Sequence, residues 1–92
     1  MNDTITRDKS SISIHLGKPH NVILFNDENH DMVEVVTQIM KAINCNIQTA
    51  TRIMMEAHKS GRAVVFTGHK EKCELVSSIL EEIRLGVKIE QA

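Results

Sequence analysis

Apolar residues fall into three kinds of pattern along this chain, and each pattern selects a kind of backbone. Val22-Ile23-Leu24-Phe25 is an unbroken apolar run between Pro19 and Asn26-Asp27, the mark of a short buried strand. Met32, Val35, Val36, Ile39, Met40 and Ile43 then recur at three- and four-residue steps, which a helix gathers onto one face. Asp31 followed by Glu34 has the spacing of a capping box and predicts the helix start. A second helical stripe, Ile47, Ala50, Ile53, Met54 and Ala57, has Asn46 as its N-cap and Gly61 as its terminator. The link through Asn44-Cys45-Asn46 is too short for anything but adjacent helices.

Ala63-Val64-Val65-Phe66 predicts a second apolar strand and Thr67-Gly68 a turn after it. Leu75, Val76, Ile79, Leu80 and Ile83 form a third helical stripe. Leu85, Val87 and Ile89 alternate with Gly86, Lys88 and Glu90, the period of a half-exposed strand. The order is therefore β-α-α-β-α-β, an α+β fold. Three helices on one face of a three-stranded, largely antiparallel sheet would bury every stripe and leave the other face partly wet. Residues 1–18 show no sustained period, being rich in Ser, Thr and charge, and predict a flexible extension ahead of a core domain over 19–92.

Composition narrows the function. A chain of 92 residues is one domain. Eleven basic against twelve acidic residues give a net charge of −1, so there is no basic excess to neutralise a phosphate backbone. With no Trp or Tyr and only Phe25 and Phe66, platforms for stacking bases are missing too; nucleic acid is not the expected partner. No apolar run approaches the ~18–20 residues that span a bilayer, and the N-terminus has no signal-peptide core, so no membrane is expected and the cytoplasm is the expected location. Cys45 and Cys73 read as small packed hydrophobes.

The stretch richest in chemistry is the strand exit, Phe25-Asn26-Asp27-Glu28-Asn29-His30-Asp31. Its carboxylates and amides offer acceptors with net negative charge, suited to a cation such as ammonium. The plainer reading is a solvated turn with helix-capping side chains. His58 stands at the edge of the second stripe near that helix's end, where a lone His is usually a surface residue. It becomes interesting only by converging with the Asn26-Asp27 loop. His69 and Cys73 have i, i+4 spacing, but two ligands do not make a metal site. No glycine-rich phosphate loop or nucleophile elbow is present, so no enzyme and no cofactor are expected.

The segments VILFNDENHDMVEVV and ATRIMMEAHKSGRAVV, taken together, resemble the ClpS family of adaptors, over roughly residues 19–90. The resemblance implies a monomeric adaptor that binds N-degrons, through a free α-amino group and a bulky hydrophobic first residue. It hands them to the N-terminal domain of a Clp AAA+ unfoldase. By motif position, Asn26, Asp27 and His58 would hold the amine, and Met32, Val35, Met54, Ala57 and Leu85 would line the side-chain pocket. Met32 would exclude β-branched first residues. Where the family commonly has Thr-Pro, this chain has His30-Asp31, which makes Glu28, His30 and Asp31 the divergent pocket rim. The third-helix segment from Phe66 to Glu74 also departs from the family pattern. The C-terminal domain of the bacterial ribosomal stalk protein shares the fold, which keeps a non-degron interaction or ribosome-associated domain as the alternative.

Overall fold

The computed structural model describes residues 17–92; the expected flexible extension over 1–18 lies, except for Gly17 and Lys18, outside the described residues. Six elements follow in the order β1 (His20–Phe25), α1 (Met32–Ile43), α2 (Ile47–Ser60), β2 (Arg62–Gly68), α3 (Lys70–Glu81) and β3 (Val87–Gln91). The sheet order is β2-β1-β3, with both pairings antiparallel.

As the middle strand, β1 has neighbours on both edges, which explains its unbroken apolar run. Val22 and Leu24 point into the helix-covered core, and Ile23 is buried as well although it stands outside that cluster. The far face of the sheet is therefore drier at its centre than expected, while Val64 beside it stays exposed.

The sequence expectation of a turn at Thr67-Gly68 is corrected, because both residues continue β2. They pair with Asn21 and His20, and the Thr67 hydroxyl donates to Asn21 Oδ1 at 2.6 Å. The strand runs as far as its partner offers backbone groups to bond. Between Val22 and Ile23 the register on β2 jumps from Phe66 to Val64, leaving Val65 as an extra residue that bulges yet stays buried.

Local chemistry sets the helix ends. Asp31 caps α1 by accepting from Glu34 N at 2.9 Å, while the Glu34 carboxylate accepts from Asp31 N at 3.2 Å. Asn46 caps α2 through Thr49 N at 2.8 Å, and Gly61 closes it at φ +91°, a left-handed conformation that costs glycine little. His69 caps α3 by accepting from Lys72 N. It is thus a flank of the helix and not the first half of an i, i+4 ligand pair, since Cys73 is buried with its thiol against the His20 and Gly68 carbonyls.

The core is aliphatic: Val35, Val36, Ile39 and Ala42 from α1, Ala50, Ile53, Met54 and Ala57 from α2, and Cys73, Val76 and Leu80 from α3, all over Val22 and Leu24. Leu75, expected in the α3 stripe, is exposed. The buried face runs through Cys73, Val76, Ser77 and Leu80, and a residue one step from Val76 is turned about 100° away. Buried Gln38 ties α1 to the end of α3, donating to the Ile79 carbonyl at 2.6 Å and to Glu82 Oε1 at 3.0 Å. The Ile79 carbonyl also accepts from Glu82 N at 3.1 Å, so the side-chain bond is a second one to a carbonyl at the helix end. Lys41 reaches the same Glu82 carboxylate at 2.8 Å and, together with Gln38, holds its pKa down.

Candidate binding pocket

The strand exit leaves β1 anchored on two sides. Phe25 N donates to the Gly86 carbonyl at 2.9 Å and Asn26 N to the Gly61 carbonyl at 3.0 Å, so the ends of α2 and β3 fix where the polar loop begins. Within the loop, Asp27 Oδ1 accepts from Asn29 N at 2.6 Å and His30 N at 2.7 Å, while Oδ2 takes His30 Nδ1 at 2.9 Å. A carboxylate has roughly four acceptor positions, so about one remains for a ligand. Asn26 donates its amide to Glu28 Oε2 at 2.9 Å, which leaves the amide oxygen as the acceptor it can offer.

Electrostatics follow from these contacts. Burial pushes the Asp27 pKa upward, but the His30 and Asn29 amides and the His30 ring outweigh it and hold the carboxyl below its usual range. The hydrogen bond to Asp27 raises the His30 pKa, and the Ile83 carbonyl adds in the same direction, against some desolvation.

Loop, helices and strand end enclose a cavity of about 350 Å³. Leu24, Val35, Met54 and Ala57, all buried, are part of its apolar lining. Asn26, Asp27, Glu28, His30, Asp31 and His58 supply its polar lining, with Met32 and Phe25 completing it. His58, from the last turn of α2, thus converges with the Asn26-Asp27 loop. Every site residue expected from the sequence lines this cavity except Leu85. Leu85 precedes β3 and is buried in the core, against which Val87 and Ile89 also pack. Leu24 and Phe25 were not anticipated; their position next to Asn26 was the available signal. The arrangement suits a molecule that carries a cation beside an apolar group. Among the described residues no group of three or more His, Cys, Asp or Glu is placed to hold a metal ion, and no helix is long and apolar enough to cross a membrane.

The family model described as ATP-dependent Clp protease adaptor protein ClpS matches residues 16–85. The chain belongs to the ClpS family. Among its relatives, the ClpS 1 adapter protein of Bradyrhizobium diazoefficiens is 38% identical over 68 residues, covering 71% of this chain and 66% of that protein. The ClpS adapter protein of Acetivibrio thermocellus is 32% identical over 62 residues, 67% and 63% of the two chains. The matched segment thus spans slightly less than two thirds of either relative. Agrobacterium tumefaciens ClpS2, in a structure bound to L-phenylalaninamide, superposes with a TM-score of 0.77 at 23% identity, covering 82% of this chain and 98% of that one. This likeness establishes the ClpS fold, β-α-α-β-α-β with its three-stranded antiparallel sheet.

Proposed function

We propose that this protein is a non-enzymatic, monomeric, cytoplasmic adaptor. It binds N-degrons by a free α-amino group plus a bulky hydrophobic first residue and delivers them to the N-terminal domain of a Clp AAA+ unfoldase. The observation that carries this reading is one cavity whose lining combines buried apolar side chains with hydrogen-bond acceptors. Asn26, Asp27 and His58 hold the amine. Met32, Val35, Met54 and Ala57 surround the first side chain, with Leu85 supporting them from the core, while Glu28, His30 and Asp31 shape the rim. Residues 1–18 serve the handover of cargo.

The energetics suit a transient complex. Two charge-assisted hydrogen bonds contribute roughly 1.5–3 kcal/mol each and a buried Leu or Phe side chain about as much. The gross attraction of about 4.5–9 kcal/mol, before association costs, puts the affinity in the micromolar range or weaker. Fluorescence anisotropy with Phe- or Leu-initiated peptides tests the reading. Acetylation of the peptide N-terminus should abolish binding, and Asp27→Ala and His58→Ala should each weaken it about tenfold. Equal binding of free and acetylated peptides would refute it.

A further inference from the structure

Five large apolar side chains are exposed among the described residues: Met32, Val33, Ile47, Val64 and Leu75. Three of them, Met32, Val33 and Ile47, border one shallow groove of about 280 Å³ between α1 and α2. Val36, Met40 and Met54 and two threonines complete it, so no charged side chain enters the lining. Exposed apolar surface gathered in one place marks a binding surface more often than single scattered residues do. Val33 is 74% exposed and contributes nothing to the core that a polar residue there would forfeit.

Met32 and Met54 line both this groove and the pocket described above. The two depressions are therefore neighbours across one pair of methionines, side chains that adapt to what lies on either side. An extended peptide projects its first and third side chains on the same side, about 6.5–7 Å apart, and its second side chain away. We propose that the groove receives the third side chain of a peptide whose first residue occupies the pocket, and that it favours an apolar group there. This rests on the peptide-binding reading above. A second copy of the chain is a poor fit, because eight residues line the groove whereas a stable dimer uses about 20–30 on each side.

The test is anisotropy with labelled peptides beginning Phe-Ala-Leu, Phe-Ala-Ala and Phe-Leu-Ala, each with a free N-terminus, against the full chain and its Val33→Ser and Ile47→Ser variants. Both substitutions fall on exposed positions, and circular dichroism verifies that the variants fold. Leu at the third position should bind about fivefold tighter than Ala there, as partial coverage of one Leu side chain provides. The variants should lose that preference and keep their affinity for Phe-Ala-Ala. Equal binding of Phe-Ala-Leu and Phe-Ala-Ala, or a larger gain from Leu at the second position, overturns the inference and leaves the pocket reading standing. So does a change in self-association or in unfoldase-domain binding by the variants with peptide preference intact. Failure of every Phe-initiated peptide to bind overturns the pocket reading and this inference with it.

Discussion

Cutting Met32 back to Ala should relax selectivity at the first peptide position with little damage to the fold. Met32 is the first residue of α1, directly after the Asp31 cap, and the reciprocal Asp31–Glu34 bonds of 2.9 and 3.2 Å fix where that helix starts. It lines the pocket while staying 52% exposed, unlike Val35 at 5% and Met54 at 8%. Full burial of a Met side chain is worth ~1.5–3 kcal/mol, so half burial puts the folding cost of Met32→Ala near 1 kcal/mol. This lies well below the ~2–5 kcal/mol of a core truncation. A bound Leu would cover the exposed half, and losing that contact should cost about 1 kcal/mol of affinity, roughly fivefold. An Ile at the first position loses the same contact but gains room beside its Cβ, where one misplaced methyl is worth ~1–3 kcal/mol. The Leu-to-Ile affinity ratio should therefore fall about tenfold. Competition anisotropy with the two peptides reads the ratio, and a thermal melt reads the stability. An unchanged ratio in a folded variant would refute the gatekeeper role, and a melting temperature lowered as far as for a core truncation would refute the half-exposed placement.

Two further outcomes concern the divergent rim. The raised His30 pKa means that its pairing with Asp27 stabilises the fold fully below pH 6.5 and loses that contribution as pH rises through the elevated value. On the acid side the lowered Asp27 pKa means that the pairing is lost as the carboxylate protonates, below its ordinary 3.8. Between pH 6 and 8 the melting temperature of the wild type should fall more than that of His30→Gln, and parallel profiles would count against the pair. Asp31→Ala removes the α1 cap and should cost about 0.5–2 kcal/mol in denaturant unfolding, with Asp31→Ser restoring most of it; no loss in the Ala variant would show that the cap is dispensable.

What could be read from the sequence was whatever depends on a residue and its near neighbours. Asp31, Asn46 and Gly61 end or begin helices by chemistry carried within three or four positions, and all three stand where expected. The pocket's apolar wall was visible as helical spacing and its acceptors as a polar cluster after a strand. Features that depend on distant partners were not legible. Thr67 and Gly68 are strand because β1 supplies hydrogen-bonding groups opposite them, and no local pattern carries that. Leu85 continued an alternation by its spacing but lies in the core before β3. The Asp27–His30 pair needed the turn's actual conformation, since residues three apart face each other only when the chain bends back.

The two backbone bonds at the end of β1, from Phe25 to Gly86 and from Asn26 to Gly61, have a kinetic consequence. They tie the upstream end of the polar loop to the most enclosed strand of the sheet, and the Asp31 cap ties its downstream end to α1. With the span between further pinned by the amides that Asp27 accepts, arrival of a ligand demands no folding of the receptor. Encounter should then be limited by orientation alone, with association at about 10⁵–10⁷ M⁻¹s⁻¹. Differences among cargoes would accordingly appear as dwell time, so the bound chain's first residues would determine how long the adaptor waits before letting go.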